Sequence, residues 1–286
     1  ISDPTGEAIY LRDDDSGVVW SATPGPRPRD RRAGRWVVRH TAGSTRFVHA
    51  TARLRHELAT FVDPRDPVKL SLLTLTNTSD APCRVSAFGY VEWCLGPPTG
   101  PGRRFVVTSQ DAATHALLAR NPYNQDFREH VAFLHATPAA AAYTCDRTEF
   151  LGRHGSMAHP AALARPRLSG RAGEGLDPCA ALQIDLEIPP GESRQVAFVL
   201  GQAASAAEAS ALAARYGTVA EARASLERAS RFWDDTLDTV QVHTPDDSFD
   251  LMVNRWLLYQ TLSARVWARS GPSQPGGAFG FRDHLL

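Results

Sequence analysis

"ALQIDLEIPPGESRQVAFVLG", from Ala181 to Gly201, holds the pattern that decides the fold. Leu182, Ile184, Leu186 and Ile188 fall on one face, with Gln183, Asp185 and Glu187 on the other. That alternation is the signature of a half-buried strand. "PPGES" turns the chain, and Val196, Phe198 and Leu200 resume the inward face, which predicts a β-hairpin. Working outward, "RVSAFGYVEW" sets Val85, Ala87, Val91 and Trp93 against Phe88 and Tyr90. Such a strand is either covered on both sides or presents an aromatic face. "KLSLLTLTN" is a further strand, ending in a turn at Asn77 to Pro82. Many strands punctuated by Pro and Gly, with no helix between them, predict a sandwich.

After Gln202 the period changes from 2 to about 3.6. "SAAEASALAARYG" favours helix and stops at Gly217. Thr218 and Glu221 form a capping box for a helix with Val219, Ala222, Leu226, Ala229 and Trp233 on one stripe. "TPDD" opens another, with Thr244 as cap and Pro245 in the first turn. The helix that follows, "SFDLMVNRWLLYQTLSARVWAR", is apolar almost all round, as expected of a helix enclosed by others. The chain starts without a methionine or signal peptide and stops just after "GGAFGFRD", so both ends read as cuts in something longer.

At 286 residues, with 43% hydrophobic and 22% charged residues, the composition is that of a soluble globular protein. Net charge is +0, so no global field draws the chain to nucleic acid or an anionic membrane. Lys69 is the only lysine, and the excess of arginine matches the coding bias of a GC-rich genome. Cys83, Cys94, Cys145 and Cys179 are irregularly spaced. With no CxxC, HExxH or Cys/His cluster, the reading is no metal site and reduced thiols in a cytoplasmic setting. No apolar run is long enough to span a bilayer.

Polar residues inside the apolar helix, Asn254, Arg255, Tyr259, Gln260, Arg265 and Arg269, together with "GGAFGFRD", point to a polar cavity at one end of a helical layer. Taken singly, each also fits a role in satisfying backbone or pairing with acids. In the terminal loop Arg282 offers a planar fork to a hydroxyl-rich or anionic ligand, and Asp283 accepts hydroxyl hydrogen bonds. Phe279 or Phe281 can stack on a sugar; an ordinary Arg–Asp ion pair closing a loop fits equally well. "DRTEFLGRHG", with Asp146, Arg147, Glu149 and Arg153, reads as a salt-bridged loop, and His154 and His159 as exposed. Glycine-rich "SGRAGEG" lacks the strand and helix of a phosphate-cradling loop. There is no serine-hydrolase elbow. "NTS" at Asn77 is formally a glycosylation acceptor.

"NPYNQDFREHVAF", "DRTEFLGRHGS", "LSGRAGEGLDPCAALQ", "NRWLLYQTLSARVWARS" and "GGAFGFRD" together resemble, in that order, the glycosyltransferase 36 type enzymes. These form glycoside hydrolase family 94, and the wording is nearest its cyclic β-1,2-glucan synthase and β-1,2-oligoglucan phosphorylase branch. The resemblance covers essentially the whole chain. It implies a mainly β fold with C-terminal α: a galactose-mutarotase-like β-supersandwich over 1–202, a helical linker over 203–239, and the start of an (α/α)6 barrel over 240–286. It implies a carbohydrate-active transferase acting on β-linked glucan oligosaccharide or polysaccharide, with inorganic phosphate as co-substrate, no cofactor, and dimerisation through the sandwich admitted. Membrane association would come only through other regions of the parent protein.

By the same resemblance Arg282 and Asp283 line the donor subsite, with Phe281 and Gln274 beside them. The catalytic general acid is expected beyond Leu286, leaving this chain without a catalytic residue. Ser273, Pro275, His284 and Leu286 depart from the family pattern. The competing expectation is a non-catalytic carbohydrate-binding or interface module using Phe88, Tyr90 and Trp93.

Overall fold

A computed structural model describes residues 6–28, 34–96, 101–271 and 277–278. In chain order the strands are β1 (Glu7–Asp13), β2 (Val19–Ser21), β3 (Val37–Thr41), β4 (Ser44–Ala50), β5 (Leu54–Val62), β6 (Val68–Asn77) and β7 (Cys83–Glu92). After them come β8 (Val107–Gln110), β9 (Leu117–Arg120), β10 (Val131–Thr137), β11 (Ala142–Asp146), β12 (Pro178–Ile188) and β13 (Ser193–Ala203). Helix α1 (Arg147–Leu151) follows β11, whereas α2 (Ala206–Arg215), α3 (Val219–Leu237) and α4 (Asp247–Leu251) come after the last strand. Two compact units result, Ile1–Glu227 and Arg228–Leu286, the division falling within α3.

The first unit is the expected mainly β sandwich. One sheet has the order β11-β12-β7-β1-β2 and the other β3-β4-β5-β6-β13-β10-β9-β8. Neighbouring strands run antiparallel, as in the long pairings of β7 with β12 and of β6 with β13. Between the sheets lies an apolar layer that includes Leu73, Val85, Leu134, Ile184, Val196 and Phe198. A second apolar layer covers the outer face of the smaller sheet, where Tyr10, Phe88 and Tyr90 meet Phe150, Leu163 and Leu168. The Tyr90 and Phe150 rings stack with centroids 4.5 Å apart.

Three expectations change here. The hairpin at "PPGES" is not one: β12 pairs with β7 and β11, while β13 pairs with β6 and β10. The turn carries the chain from one sheet to the other, so the two apolar faces meet across the sandwich rather than side by side. The strand β12 is not half-buried along its length either. Gln183 is buried, donating to Pro166 O at 2.9 Å and to Asp185 Oδ1 at 2.9 Å, and accepting from Leu168 N at 3.3 Å. The segment after α1 supplies that cover. Finally, Phe88, Tyr90 and Trp93 form no exposed aromatic face. All three are buried, the first two in the outer layer and Trp93 in the layer between the sheets.

Asn77, at 0% exposure, makes the crossing between sheets possible. Its Nδ2 donates to Ala81 O at 2.7 Å and Ile188 O at 2.8 Å, and its Oδ1 accepts from Ser79 N at 2.9 Å and Ser79 Oγ at 2.8 Å. Its backbone closes on the other crossing, donating to Glu192 O at 3.0 Å and accepting from Gly191 N at 3.1 Å. A side chain so enclosed is no acceptor for a glycan in the folded protein.

After the sandwich, Ser205 caps α2 by accepting from Glu208 N at 3.2 Å. Thr218 caps α3 by accepting from Glu221 N at 3.1 Å, as the sequence predicts. The helix α2 packs on β10 and β13. Buried Ser225 then donates to Asp63 Oδ2 at 2.5 Å, tying α3 to the loop before β6.

Near β5, Trp20 Nε1 donates to His56 Nδ1 at 3.2 Å, which fixes the neutral ring with its proton on Nε2, 3.1 Å from Ala22 O. Burial, the largest influence, pushes this ring from 6.5 down to about 4.

Replacing Asn77 by Ala removes four carboxamide bonds from the crossings, taking a partner from Ile188 O and Ser79 N while Ser79 Oγ and Ala81 O keep each other. It should destabilise the fold by about 2–4 kcal/mol, read as a lowered urea midpoint at unchanged slope. For His56, the unfolded chain binds a proton that the folded chain refuses between pH 6.5 and 4. Stability is therefore complete above the unfolded value and falls as pH drops, by about 3 kcal/mol at the acid end. Burial lowers His135 in the same direction and adds to the slope. Urea midpoints at neutral and acid pH should differ less in His56→Gln than in the unaltered protein.

Candidate functional site

The second unit begins its helical run at α4, and the cap is Asp246 rather than Thr244. Asp246 Oδ1 accepts from Ser248 N at 2.9 Å and Phe249 N at 3.2 Å. Thr244 instead donates from N at 3.0 Å and from Oγ1 at 2.8 Å to Asp250, whose carboxyl is held below its ordinary range by the backbone bond first and the hydroxyl second. Aspartate's short carboxylate reaches two orphan amides where threonine's hydroxyl serves one, so the start moves two residues on.

Beyond α4 the helix winds as a π-helix over Met252–Leu257, returns to α over Leu258–Gln260, and is π-helical again over Thr261–Trp267. Ala268 N bonds to Ser263 O at 3.1 Å, five residues back. Arg269 then ends the helix in the left-handed region, with φ 50°, and Ser270 N reaches Ala264 O at 2.8 Å. The chain comes back on this end: Gly277 N donates to Ala268 O at 2.7 Å and Ala278 N to Arg269 O at 2.9 Å. Gly271 makes that return possible, because a Cβ there would sit 2.9 Å from the Ala278 Cβ.

On the side of this helix end lies a hollow lined by Leu257, Gln260, Thr261, Ala264, Arg265, Ser270 and Gly271. Arg265 Nη1 donates to Ser270 O at 3.2 Å, which holds the guanidinium against the residues that end the helix. An amide, a hydroxyl and a planar cation on one wall suit a hydroxyl-rich or anionic group.

Of the polar residues expected to converge, the structure brings Gln260 and Arg265 together and employs the others elsewhere. Asn254 clamps the preceding segment, accepting from Val242 N and donating to Val242 O, each at 2.8 Å. Arg255 pairs with Asp234 at 3.1 Å, both largely exposed, so the pair adds little. Tyr259 meets the Trp233 ring edge-on at 4.7 Å, and Trp233 lies 5.0 Å from Trp267. Arg269 is exposed. Gln274, Phe279, Phe281, Arg282 and Asp283 lie outside the described residues.

In the first unit "DRTEFLGRHG" resolves into several pairings. Asp146 caps α1 and meets Arg171 at 2.8 Å. Arg147 bridges Glu92 at 2.8 Å and Asp177 at 3.3 Å, and Arg103 meets the same two acids. Burial works to raise the Glu92 carboxyl, but the hydrogen bond and charge of Arg147 outweigh it and hold it below the ordinary range. Glu149 follows the same logic: burial opposes, and the hydroxyls of Ser169 at 2.5 Å and Thr144 at 2.6 Å win. A general acid must keep its proton near neutral pH, so neither glutamate is built for that task. His154 and His159 are exposed, and among the described residues no cluster of His, Cys, Asp and Glu could hold a metal ion. The four cysteines are free thiols, and burial pushes Cys145 up to about 12. No helix among the described residues is long and apolar enough to cross a membrane.

Sequence reasoning expected a polar cavity with Gln260 and Arg265 among its residues, but not the winding that brings these two together. In an α-helix, residues five apart lie roughly 140° apart around the axis. Bonds closing i to i−5 put them on one side. The π-winding that joins Gln260 to Arg265 leaves no mark in the hydrophobic period.

Comparison with known proteins gives a consistent picture. A family model described as Glycosyl hydrolase 94, supersandwich domain, matches residues 1–219, and one described as Glycosyl hydrolase 94 superfamily, catalytic domain, matches residues 232–286. The chain is 38% identical over 286 residues to a cyclic β-(1,2)-glucan synthase of Rhizobium meliloti (strain 1021), covering 98% of this chain and 10% of that protein. It is 30% identical over 288 residues to an N,N'-diacetylchitobiose phosphorylase of Vibrio furnissii, covering 98% of this chain and 36% of that one. Among solved structures, a protein of the human microbiome assigned as a kojibiose phosphorylase superposes with a TM-score of 0.56 at 9% identity, over 96% of this chain and 33% of that chain, a likeness of fold. The chain thus spans between a tenth and about a third of these relatives.

Removing the Trp233 ring should destabilise the second unit by about 3–5 kcal/mol. In Trp233→Ala, amide exchange over the helical run should accelerate, while the amides of β7 and β13 keep their protection.

Proposed function

We propose, from the premise that this chain belongs to the glycosyl hydrolase 94 family, that it is part of an enzyme that cleaves or builds β-1,2-linked glucan by inverting phosphorolysis or glycosyl transfer. The observation that carries the reading is the 38% identity, along 98% of this chain, to a cyclic β-(1,2)-glucan synthase. Residues 1–202 form the supersandwich and 203–239 the linker, and 240–286 open an (α/α)6 barrel. The barrel reading is supported by a helical run with Met252, Leu257, Trp256, Val266 and Trp267 all exposed, ready for cover by further helices.

In the reaction a carboxylic acid protonates the glycosidic oxygen while inorganic phosphate attacks the anomeric carbon from the opposite face. The C–O bond breaks as the C–O bond to phosphate forms, with inversion. Phosphate supplies the nucleophile, so one protein carboxyl suffices. That acid lies beyond Leu286, in agreement with the lowered Glu92 and Glu149. Within this chain Arg282 and Asp283 grip the donor sugar, with Phe281 and Gln274 beside them. This part of the parent protein works on the cytoplasmic side, any membrane association would come through other regions, and the sandwich is the face on which a homodimer would form.

Two assays test this. Incubated with β-1,2-glucan and phosphate, the 286-residue chain should release no glucose 1-phosphate; release would place the acid within it. In a longer protein that carries the chain, Arg282→Ala should lower kcat/KM by about 10- to 100-fold, the worth of a charged hydrogen bond at the transition state. An unchanged rate would remove Arg282 from the donor subsite.

A further inference from the structure

The stretch "NPYNQDFREHVAF" is one of five that carry the family resemblance, and the function above makes no use of it. Packing accounts for its buried Phe133 but not for its two other aromatic rings, Tyr123 and Phe127. Tyr123 is 58% exposed and Phe127 57%, whereas Phe150 of the neighbouring "DRTEFLGRHGS" is wholly buried. Tyr123 stacks on exposed Phe105 with centroids 4.6 Å apart and planes 15° from parallel. Phe127 stands edge-on to His130 at 5.2 Å.

These rings are held by a buried residue. Asn121, 4% exposed, donates from Nδ2 to Leu95 O at 2.7 Å and Gly102 O at 3.2 Å, and accepts at Oδ1 from Tyr123 N at 3.1 Å. One carboxamide therefore fixes three loop segments relative to one another, and with them Phe105 and Tyr123. Asn124 Oδ1 accepts from Asp126 N at 3.2 Å and Phe127 N at 3.3 Å, which orders the turn that presents Phe127. Rings fixed before binding lose little freedom on contact.

Beside them is a hollow lined by Asn124, Phe127, His130 and Gln202 over a floor of Leu95, Val131 and Ala132. His130 Nδ1 and Gln202 Oε1 lie 3.2 Å apart. Among the described residues no carboxylate or guanidinium lines it. Flat ring faces match the C–H faces of a pyranose, and amides match its hydroxyls. The wall of the hollow carries no fixed charge, and at the ring pair outside it the Arg104 guanidinium is engaged over Phe105, 5.5 Å from the ring centroid. A protein partner would call for a broader apolar core than three rings interrupted by amides.

We propose that these loops form an accessory subsite for a neutral glucan chain, with Tyr123 and Phe127 stacking on sugar faces and Asn124 and Gln202 bonding hydroxyls. The subsite rests on the glucan-handling reading above and is separate from the donor loop at Arg282. It would hold a polymeric substrate away from the reacting bond.

Isothermal titration of the full chain with linear β-1,2-glucohexaose, with cellohexaose as linkage control, tests it. Tyr123→Ala and Phe127→Ala should each weaken hexaose binding by about five- to tenfold, and Tyr123→Phe should bind as the unaltered chain does. Arg194→Ala, which removes an exposed pair with Glu192 outside both hollows, should leave the affinity unchanged. Equal affinity in the chain and in Tyr123→Ala overturns the subsite. So does an absence of hexaose binding by a chain whose longer parent still releases glucose 1-phosphate from β-1,2-glucan, which leaves the reaction assignment standing. Sedimentation velocity settles the remaining alternative. A dimer that Tyr123→Ala dissociates assigns the rings to a contact between copies and overturns the glucan subsite. Because both rings are exposed, the thermal midpoints of the variants should match the unaltered chain and report intact folding.

Discussion

The hydrogen bonds of the Asn77 carboxamide hold together two of the places where the chain passes between sheets. On one side the chain leaves β6 for β7, and on the other it leaves β12 for β13. Asn77 Nδ2 spans them, with Ala81 O on the first crossing and Ile188 O at the start of the second. Its Oδ1 takes both donors of Ser79, so the carboxamide has two donors and two lone pairs, all used. A buried amide satisfied in this way costs little to bury, and a shifted register on either crossing would break the set. The apolar layer between the sheets needs that register, since β7 and β12 bring Val85 and Ile184 to it from one side while β6 and β13 bring Leu73 and Val196 from the other.

Much of this was legible in the sequence because period and polarity report which face of a strand is apolar. "ALQIDLEI" and "RQVAFVLG" gave both inward faces correctly. What they could not report is which strand lies alongside, since a face that packs across a sandwich and one that packs within a hairpin look the same in one dimension. The outer layer was hidden for a related reason. Gln183 and Tyr90 point away from the core between the sheets, and only the fold of residues 147–168 over that face shows them to be interior. Helix caps were half legible: Ser, Thr and Asp mark a start, but where "TPDD" offers several acceptors, the choice falls to geometry. The π-helical turns lay beyond any reading based on a 3.6 period. The expectation of a donor loop rests on resemblance alone, and its residues lie outside the described ones.

The polar groups of the sandwich share one character. Asn77, Asn121, Asp146, Glu149 and Gln183 each bind backbone amides, backbone carbonyls or neighbouring hydroxyls of the same unit. Glu92 and Arg147 add ionic ties around Asp177. Groups so occupied fix loops in place, and the lowered carboxyls among them hold charge rather than deliver protons. The surface they organise is therefore where ligand chemistry can be offered from this unit, through side chains that the network positions without consuming.

The helical run of the second unit has the opposite character. Its backbone is satisfied and its end is locked by Arg269, Ser270 and Gly277, yet Phe249, Leu251, Met252, Trp256, Leu257, Val266 and Trp267 remain 44–65% exposed. Complete burial of a large apolar side chain is worth about 1.5–3 kcal/mol, so roughly half of that gain is still available at each position. The sum is large against the few kcal/mol that separate folded from unfolded. Cover for these side chains would stabilise the π-helical turns that join Gln260 to Arg265, because those turns hold less favourable geometry than an α-helix and persist where surroundings fix them. Apolar packing on one side of the helix and the polar hollow on another are in this way coupled: the geometry of the second depends on the first.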